Sequence, residues 1–402
     1  MIEANRITDV NMFDEEQSNS LLMVACESGD VTCVEMLLDN NSVTSNIRQN
    51  LSIMKSICRR GDTAILKLLL ERGLTLDDHL LLSCFIEDVA SKYEMANIRF
   101  EHIIDVNYHD DDGDNFSRRA CKAGNVSLAA KLLEKGADRD KTSIIHGGCL
   151  YTASANRHTE VVKLLLSWDA QGVRIPSESL RRALKSASYL GLIDILRLVV
   201  EYGVGLDDLS YALCQAAICN QSEVAEYLID SGADIDATTS GMRSIFCLAC
   251  PLDFTCMARL LLSRGANPNA QVLKESPLKA ALVCPAIVRT LLEAGADPNL
   301  PLADGDMVLI HAIRISNSHP HTFEVLKLLL GHGADPNLAH ASTGERTPLM
   351  IAAVYLRVDM VRLLLEHGAD VTQVNSEGKC VLGILDRTRK YREVVELCTS
   401  YI

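Results

Sequence analysis

Apolar positions along the 402-residue chain come in short clusters, and the same cluster keeps returning. Towards the C-terminus stand "YLIDSGADID", "RLLLSRGANP", "TLLEAGADPN", "KLLLGHGADP" and "RLLLEHGADV"; "LKLLLERGLT" and "KLLEKGADRD" precede them. Inside each, apolar residues lie three and four apart, the spacing of an amphipathic helix, and a glycine stands where the helix should end. The landmark glycines are Gly73, Gly136, Gly203, Gly232, Gly265, Gly295, Gly333 and Gly368, with Asn41, Ile104 and Asp169 replacing glycine in three weaker copies. These eleven landmarks span 327 residues in ten steps of 29 to 38, a mean of 32.7. A fixed period of this size signals a repeat architecture rather than a single globular core.

A second, shorter pattern precedes each amphipathic run. Its fullest form is "TPLMIAA" from Thr347, echoed by "SPLKAAL" from Ser276. A hydroxyl residue followed by proline suits a helix start, because the hydroxyl accepts from an orphan amide and proline lacks one. Each period therefore predicts two helices and a turn, the turn lying between the glycine and the next Thr-Pro. Three units lack the long turn, so Asp77, Asp207 or Asp208, and Ser177 are expected to cap helices entered directly. "ISNSHPHT" lengthens one unit and should bulge between its two helices. Residues 1–18 read as a polar lead-in, 19–402 as the repeat array, and 378–402 as a polar terminal unit that caps it.

This unit resembles the ankyrin repeat, with a hairpin-like turn, two antiparallel helices and a period of 33. The resemblance runs from about residue 19 to 402 and is strongest from Gly232 onward. It implies an all-α solenoid of eleven or twelve units. It also implies that binding occurs on a concave face built from turn tips and first helices, and that the chain is a non-enzymatic scaffold or adaptor. An alternative is a targeting or regulatory arm that brings partners to an enzyme assembly such as a ubiquitin ligase or kinase complex.

The stretch "VNYHDDDGDNF", residues 106–116, invites a calcium reading, since hard cations want converging carboxylates. Read as an EF-hand loop from Asp110, it lacks the turn glycine, where Asn115 stands, and the twelfth-position glutamate, where Cys121 stands. The repeat frame places Asn115 on the helix-starting position and Gly113 in the turn before it, which makes the loop structural.

Composition narrows the remaining chemistry. Aromatic residues are only 4% of the chain, which suits a Leu/Ala-rich helical core. A net charge of −14 disfavours nucleic acid as the partner of the whole protein. Fourteen cysteines are too dilute for a disulfide scaffold. The densest cluster, Cys247, Cys250 and Cys256, offers half a zinc site, but Cys250 shares its repeat position with Cys26, Cys58, Cys121 and Ala353, a slot for small packed side chains. His319 and His321 read as a loop pair. Neither a phosphate-binding glycine loop, a nucleophile elbow nor HExxH occurs, so no catalytic, cofactor or metal residues are assigned. The N-terminus has no secretory pattern and no uncharged run is long enough to span a membrane. A cytosolic or nucleocytoplasmic monomer is expected.

Candidate binding residues follow from the repeat frame. The two positions after the small-residue slot should face outward, which selects Arg59, Arg60, Lys122, Tyr189, Leu190, Leu252 and Tyr355, with Arg119 beside them. Lys55, Arg118, Arg119, Arg181, Arg182 and Lys185 lie on or beside the first helices of repeats two to six, whereas later first helices such as "YALCQAAIC" read as almost uncharged. A protein partner with an acidic or phosphorylated segment fits this distribution.

Overall fold

The computed structural model describes residues 15–39, 51–74, 76–84, 98, 100–138, 148–168, 174–238, 244–250, 254–271, 275–302, 305–316, 318–339, 344–385 and 389–402. Helices fill the described chain, and among the described residues the only β pairing is two isolated bridges, His109 with Asn115 and Thr238 with Ser244. The chain divides into two compact units, residues 1–187 with 194–204, and residues 188–193 with 205–402.

Each unit is a stack of helix pairs in two layers. In the first, the opening helices Glu15–Ser28, Leu51–Arg60 and Asp78–Cys84 pack in succession, and the closing helices Val31–Leu38 and Thr63–Glu71 pack on each other behind them. Phe116–Ala123 with Val126–Glu134 and Cys149–Ala155 with Thr159–Ser167 repeat the arrangement. In the second, first helices from Leu206–Ile218 to Val381–Ile384 form one layer and closing helices from Ser222–Asp230 to Arg392–Thr399 the other. The core lies between the layers, where Leu66, Leu69, Leu132 and Val162 of the first unit and Leu261, Leu291, Leu329 and Leu364 of the second are essentially inaccessible. Burying the apolar stripe of each helix pair against its neighbours supplies the stability a lone pair would lack.

The predicted helix punctuation is present. Thr347 and Ser276 accept from the amides of Met350 and Lys279, with proline at the next position. Asp77 accepts from Leu80 N at 2.7 Å as expected. The cap at Asp207 or Asp208 is corrected: Gly205 stands at the cap position without a side-chain hydrogen bond, and both aspartates lie in the first turn of Leu206–Ile218. There their charge faces the positive end of the helix dipole. The cap at Ser177 is corrected in the same way: Ser177 is the first residue inside Ser177–Leu190, and Ser179 N and Leu180 N donate to the carbonyl of Pro176 before it. The inserted "ISNSHPHT" lies between Val308–Ile315 and Thr322–Gly331, as the repeat frame requires. Two landmark positions, Asn41 and Asp169, fall outside the described residues.

Seven of the eight glycine landmarks close their helices in one way. At Gly368, φ is 87°, its N–H donates to Leu365 O, and Ala369 N donates to Leu364 O at 3.0 Å. This satisfies two carbonyls that the helix end would leave bare and requires a left-handed residue. Gly73, Gly136, Gly232, Gly265, Gly295 and Gly333 repeat the pair of bonds.

Beyond four of these glycines runs a ladder that sequence reading missed. Asn299 Nδ2 donates to Gly333 O at 2.9 Å, while its Oδ1 accepts from Asp335 N at 2.8 Å. Asn269 bridges to Gly295 and Asp297, and Asn337 to Gly368 and Asp370, in the same manner. In the first unit Asn107 makes the equivalent pair with Gly136 and Asp138. The signal was present as the asparagine of "GADPN", since a side-chain amide both donates and accepts whereas a carboxylate only accepts. At the matching position Asp236 accepts from Asn267 N at 3.2 Å and, as a carboxylate, has no hydrogen to give Gly265 O. Asn299→Ala should therefore cost about 1–2 kcal/mol in urea unfolding, and Asp236→Asn should gain about 0.5 kcal/mol. Changes of the same sign in both variants would refute the ladder as a stabilising device.

Candidate functional site

The acidic loop is the best-organised polar cluster of the first unit. Gly113, at φ 75°, turns the chain so that Asp110 N donates to Asp114 O at 3.0 Å. Asn115 then starts the helix Phe116–Ala123, accepting from Arg118 N at 2.8 Å. Asp114 is buried and accepts three bonds: from Asn115 N at 3.0 Å, Arg118 Nε at 2.6 Å and Arg119 Nε at 2.7 Å. Arg119 also reaches Asp110 at 3.2 Å and the carbonyl of Leu82 in the preceding repeat. Burial alone would raise the Asp114 pKa, but the Arg118 hydrogen bond and the charges of Arg119 and Arg118 outweigh it and hold the carboxyl below its usual value. Two of the aspartates that suggested a cation site, Asp110 and Asp114, thus hold arginines. Among the described residues no group of three or more His, Cys, Asp or Glu side chains is placed to hold a metal.

This network alters the candidate strip. Arg119 is 8% exposed and spends its guanidinium inside the protein, so it presents little to a partner. Its outward neighbour Lys122 is exposed, as are Lys55 in the middle of Leu51–Arg60 and Arg59 and Arg60 in its last turn. Arg60 is partly engaged, donating to Ser28 O at 3.2 Å and to Asp62 at 2.7 Å. Arg182 pairs with Glu178 at 2.9 Å and Arg181 lies 3.9 Å from the same carboxylate, so these two are not uncompensated charge.

In the second unit Tyr189 is 55% exposed, with Leu190 half-buried beside it. Leu252 falls outside the described residues. Tyr355 is 42% exposed and lines a groove of about 230 Å³ with Arg314, Arg346, Ile351 and Val354. Arg314 Nη1 donates to Asp306 Oδ2 at 2.7 Å, and Asp306 Oδ1 accepts from Met307 N at 3.0 Å. The expectation of nearly uncharged first helices in later repeats is therefore corrected. Arg314 follows Ile313 in "VLIHAIRI", the first outward position after the small-residue slot, and Arg346 comes from the turn ahead of Thr347. Aligning the lengthened repeat on its first helix, ahead of the insertion, would have exposed Arg314; only folding brings Arg346 beside it.

A larger notch of about 650 Å³ opens beside the closing helices of this unit, lined by Arg259, Arg289, Glu293, His321 and Glu324 among others. It lies where the very short helix Pro277–Ala280 is followed by the lengthened repeat. Its charges are mixed and Arg289 lies 3.7 Å from Glu324, so it selects no ligand charge.

The slot cysteines behave as packing groups. Cys26, Cys58, Cys121 and Cys250 are buried, and burial, reinforced by the charge of Asp62, pushes the Cys26 thiol up to about 12. The hydrogen bond with Cys149, together with burial, raises Cys121 as well. Protonated buried thiols are poor nucleophiles and poor metal ligands. Cys256, the third member of the suspected zinc cluster, is exposed while Cys247 and Cys250 are enclosed.

Sequence similarity to known proteins agrees with this geometry. The chain is 29% identical over 233 residues to Ankyrin repeat and KH domain-containing protein CBG24701 of Caenorhabditis briggsae, covering 55% of this chain and 9% of that protein. It is 29% identical over 255 residues to Ankyrin repeat and SOCS box protein 6 of Homo sapiens, covering 54% of this chain and 58% of that protein. The chain thus spans less than two thirds of either relative. Among solved structures, the ankyrin repeat domain of Bcl-3 aligns with 54% of this chain and 97% of its own, at 25% identity and a TM-score of 0.48. The human ASB11 ankyrin repeat domain aligns with 53% and 96%, at 22% identity and a TM-score of 0.44. The family described as "Ankyrin repeats" matches residues 150–239, 213–301 and 278–375, which together make up more than half of the chain. With helix pairs, glycine closures and turn ladder all following that repeat, the chain belongs to the ankyrin-repeat family.

Proposed function

We propose that this chain is a non-enzymatic scaffold that binds protein partners along the first-helix side of its repeats, and that its first unit takes an acidic or phosphorylated segment. Ankyrin repeats are generally protein-interaction modules. One observation carries the finer reading: in a chain of net charge −14, Lys55, Arg59, Arg60 and Lys122 stand exposed on first helices of the first unit. Basic groups so placed steer acidic partners and form charge-assisted hydrogen bonds with them. Arg59→Glu combined with Lys122→Glu leaves the buried Asp114–Arg119 network intact. Affinity purification coupled to mass spectrometry should lose the acidic partners with this variant and retain its helical circular dichroism. Recovery of the same proteins by both forms would overturn the assignment. Partners held this way should also dissociate as salt rises from 0.1 to 0.5 M, since exposed charges are screened.

A second reading is a recruiting arm for a ubiquitin ligase assembly. The relative named for its SOCS box favours it, through a match covering 58% of that protein. Ligase subunits in the same purification, with ubiquitin transfer by the eluate, would support this role; a purified complex devoid of transfer activity would argue against it.

A further inference from the structure

We infer that the groove between Arg314, Arg346 and Tyr355 in the second unit is a pocket for one carboxylate side chain of an extended partner peptide, aspartate or glutamate, followed by an apolar residue. This deepens the protein-binding reading and rests on it. The volume of about 230 Å³ is smaller than the roughly 300–1,000 Å³ of small-molecule and cofactor sites, and suits one or two peptide side chains.

Charge selects the occupant. Two guanidinium groups line the groove and one buried carboxylate, Asp306, stands behind Arg314, leaving a single positive charge. Glu377, which feels the charge of Arg346, is itself paired with Lys379 at 2.8 Å. A monoanion balances this site, whereas a dianionic phosphate would remain uncompensated on burial.

Geometry supports the same occupant. Asp306 is itself held by Met307 N, so the bond from Arg314 Nη1 fixes the guanidinium before any ligand arrives. Arg314 uses one of its five donors in that bond, leaving others for a carboxylate. Less rotamer freedom is then lost on binding, and a fixed planar fork matches a carboxylate well. Ile351, Val354 and the 42%-exposed ring of Tyr355 supply the apolar wall for the following residue.

The test is selection of a random 12-residue peptide library, displayed on phage, against the full 402-residue chain. Enriched peptides are then synthesised with acetylated and amidated ends, so that no terminal carboxylate contributes. An acidic residue followed by an apolar one should recur. Arg346→Gln should weaken binding about tenfold or more, on the scale of a charge-assisted hydrogen bond. Replacing the peptide's Glu by Gln should cost a similar factor in the wild type and clearly less in Arg346→Gln, where Arg314 alone remains to bond the carboxylate. Tyr355→Ala should weaken the same peptides, while unchanged thermal unfolding of both variants establishes that they remain folded.

Peptides that keep their affinity for Arg346→Gln but lose it with Arg59→Glu and Lys122→Glu would overturn this pocket and leave the scaffold reading standing. A phosphoserine peptide binding more than tenfold better than its glutamate counterpart would overturn the monoanion assignment. Failure to enrich any peptide would count against both.

Discussion

Asp114→Ala is expected to destabilise the first unit by about 3–5 kcal/mol, read from urea unfolding. The carboxylate holds two guanidinium groups and the Asn115 amide, and it is buried with Arg119. Removing it leaves Arg119 enclosed with a weakened counter-charge, and an unpaired buried charge costs far more than the pair contributes on balance. Asp114→Asn separates the causes, since the amide keeps an acceptor for Asn115 N but loses the negative charge. A loss near that of alanine would show that charge compensation dominates. A loss under about 1 kcal/mol in both variants would refute the network as a structural keystone.

The same residue predicts a pH dependence. Its folded-state pKa is lowered from 3.8, so the unfolded chain takes up its proton first as pH falls. The stabilisation is fully present above the unfolded value and disappears as pH falls through the lower, folded value. Between pH 5 and 2 the stability of the wild type should therefore fall more steeply than that of Asp114→Ala. Parallel curves would contradict the linkage.

Leu364→Ala is expected to cost about 2–5 kcal/mol in the second unit, through lost burial and a residual cavity. Leu364 is fully buried in Val358–Glu366, and its carbonyl anchors the glycine closure at Ala369. Because each repeat contacts only its neighbours, no distant part of the stack can fill the space. Glu366→Ala, on the exposed side of the same helix, should stay within about 0.5 kcal/mol and serves as the control. Equal effects in the two variants would mean that the helix does not bury the face its pattern prescribes.

Elements governed by local rules were legible in advance. Thr347, Ser276 and Asn115 were recognisable as helix starts because capping joins residues three apart in sequence. The closing glycines were recognisable because left-handed backbone favours glycine. Asp207 and Asp208 were misjudged by two or three residues, since Gly205 can occupy the cap position with backbone alone. The asparagine ladder went unread because each rung joins residues about thirty positions apart, such as Asn299 with Gly333 and Asp335.

Charge was the least legible property. Arg119 and Lys122 are three residues apart on one helix and look alike as letters, yet one is enclosed by Asp114, Asp110 and Leu82 while the other faces solvent. Periodicity, glycine spacing and cap chemistry determined the family and the helix pairs, since these depend on neighbours within a turn or two. Tertiary structure alone decided which arginines are committed to buried carboxylates and which gather around Tyr355. That choice depends on desolvation and on partners supplied by adjacent repeats, neither of which a linear pattern contains.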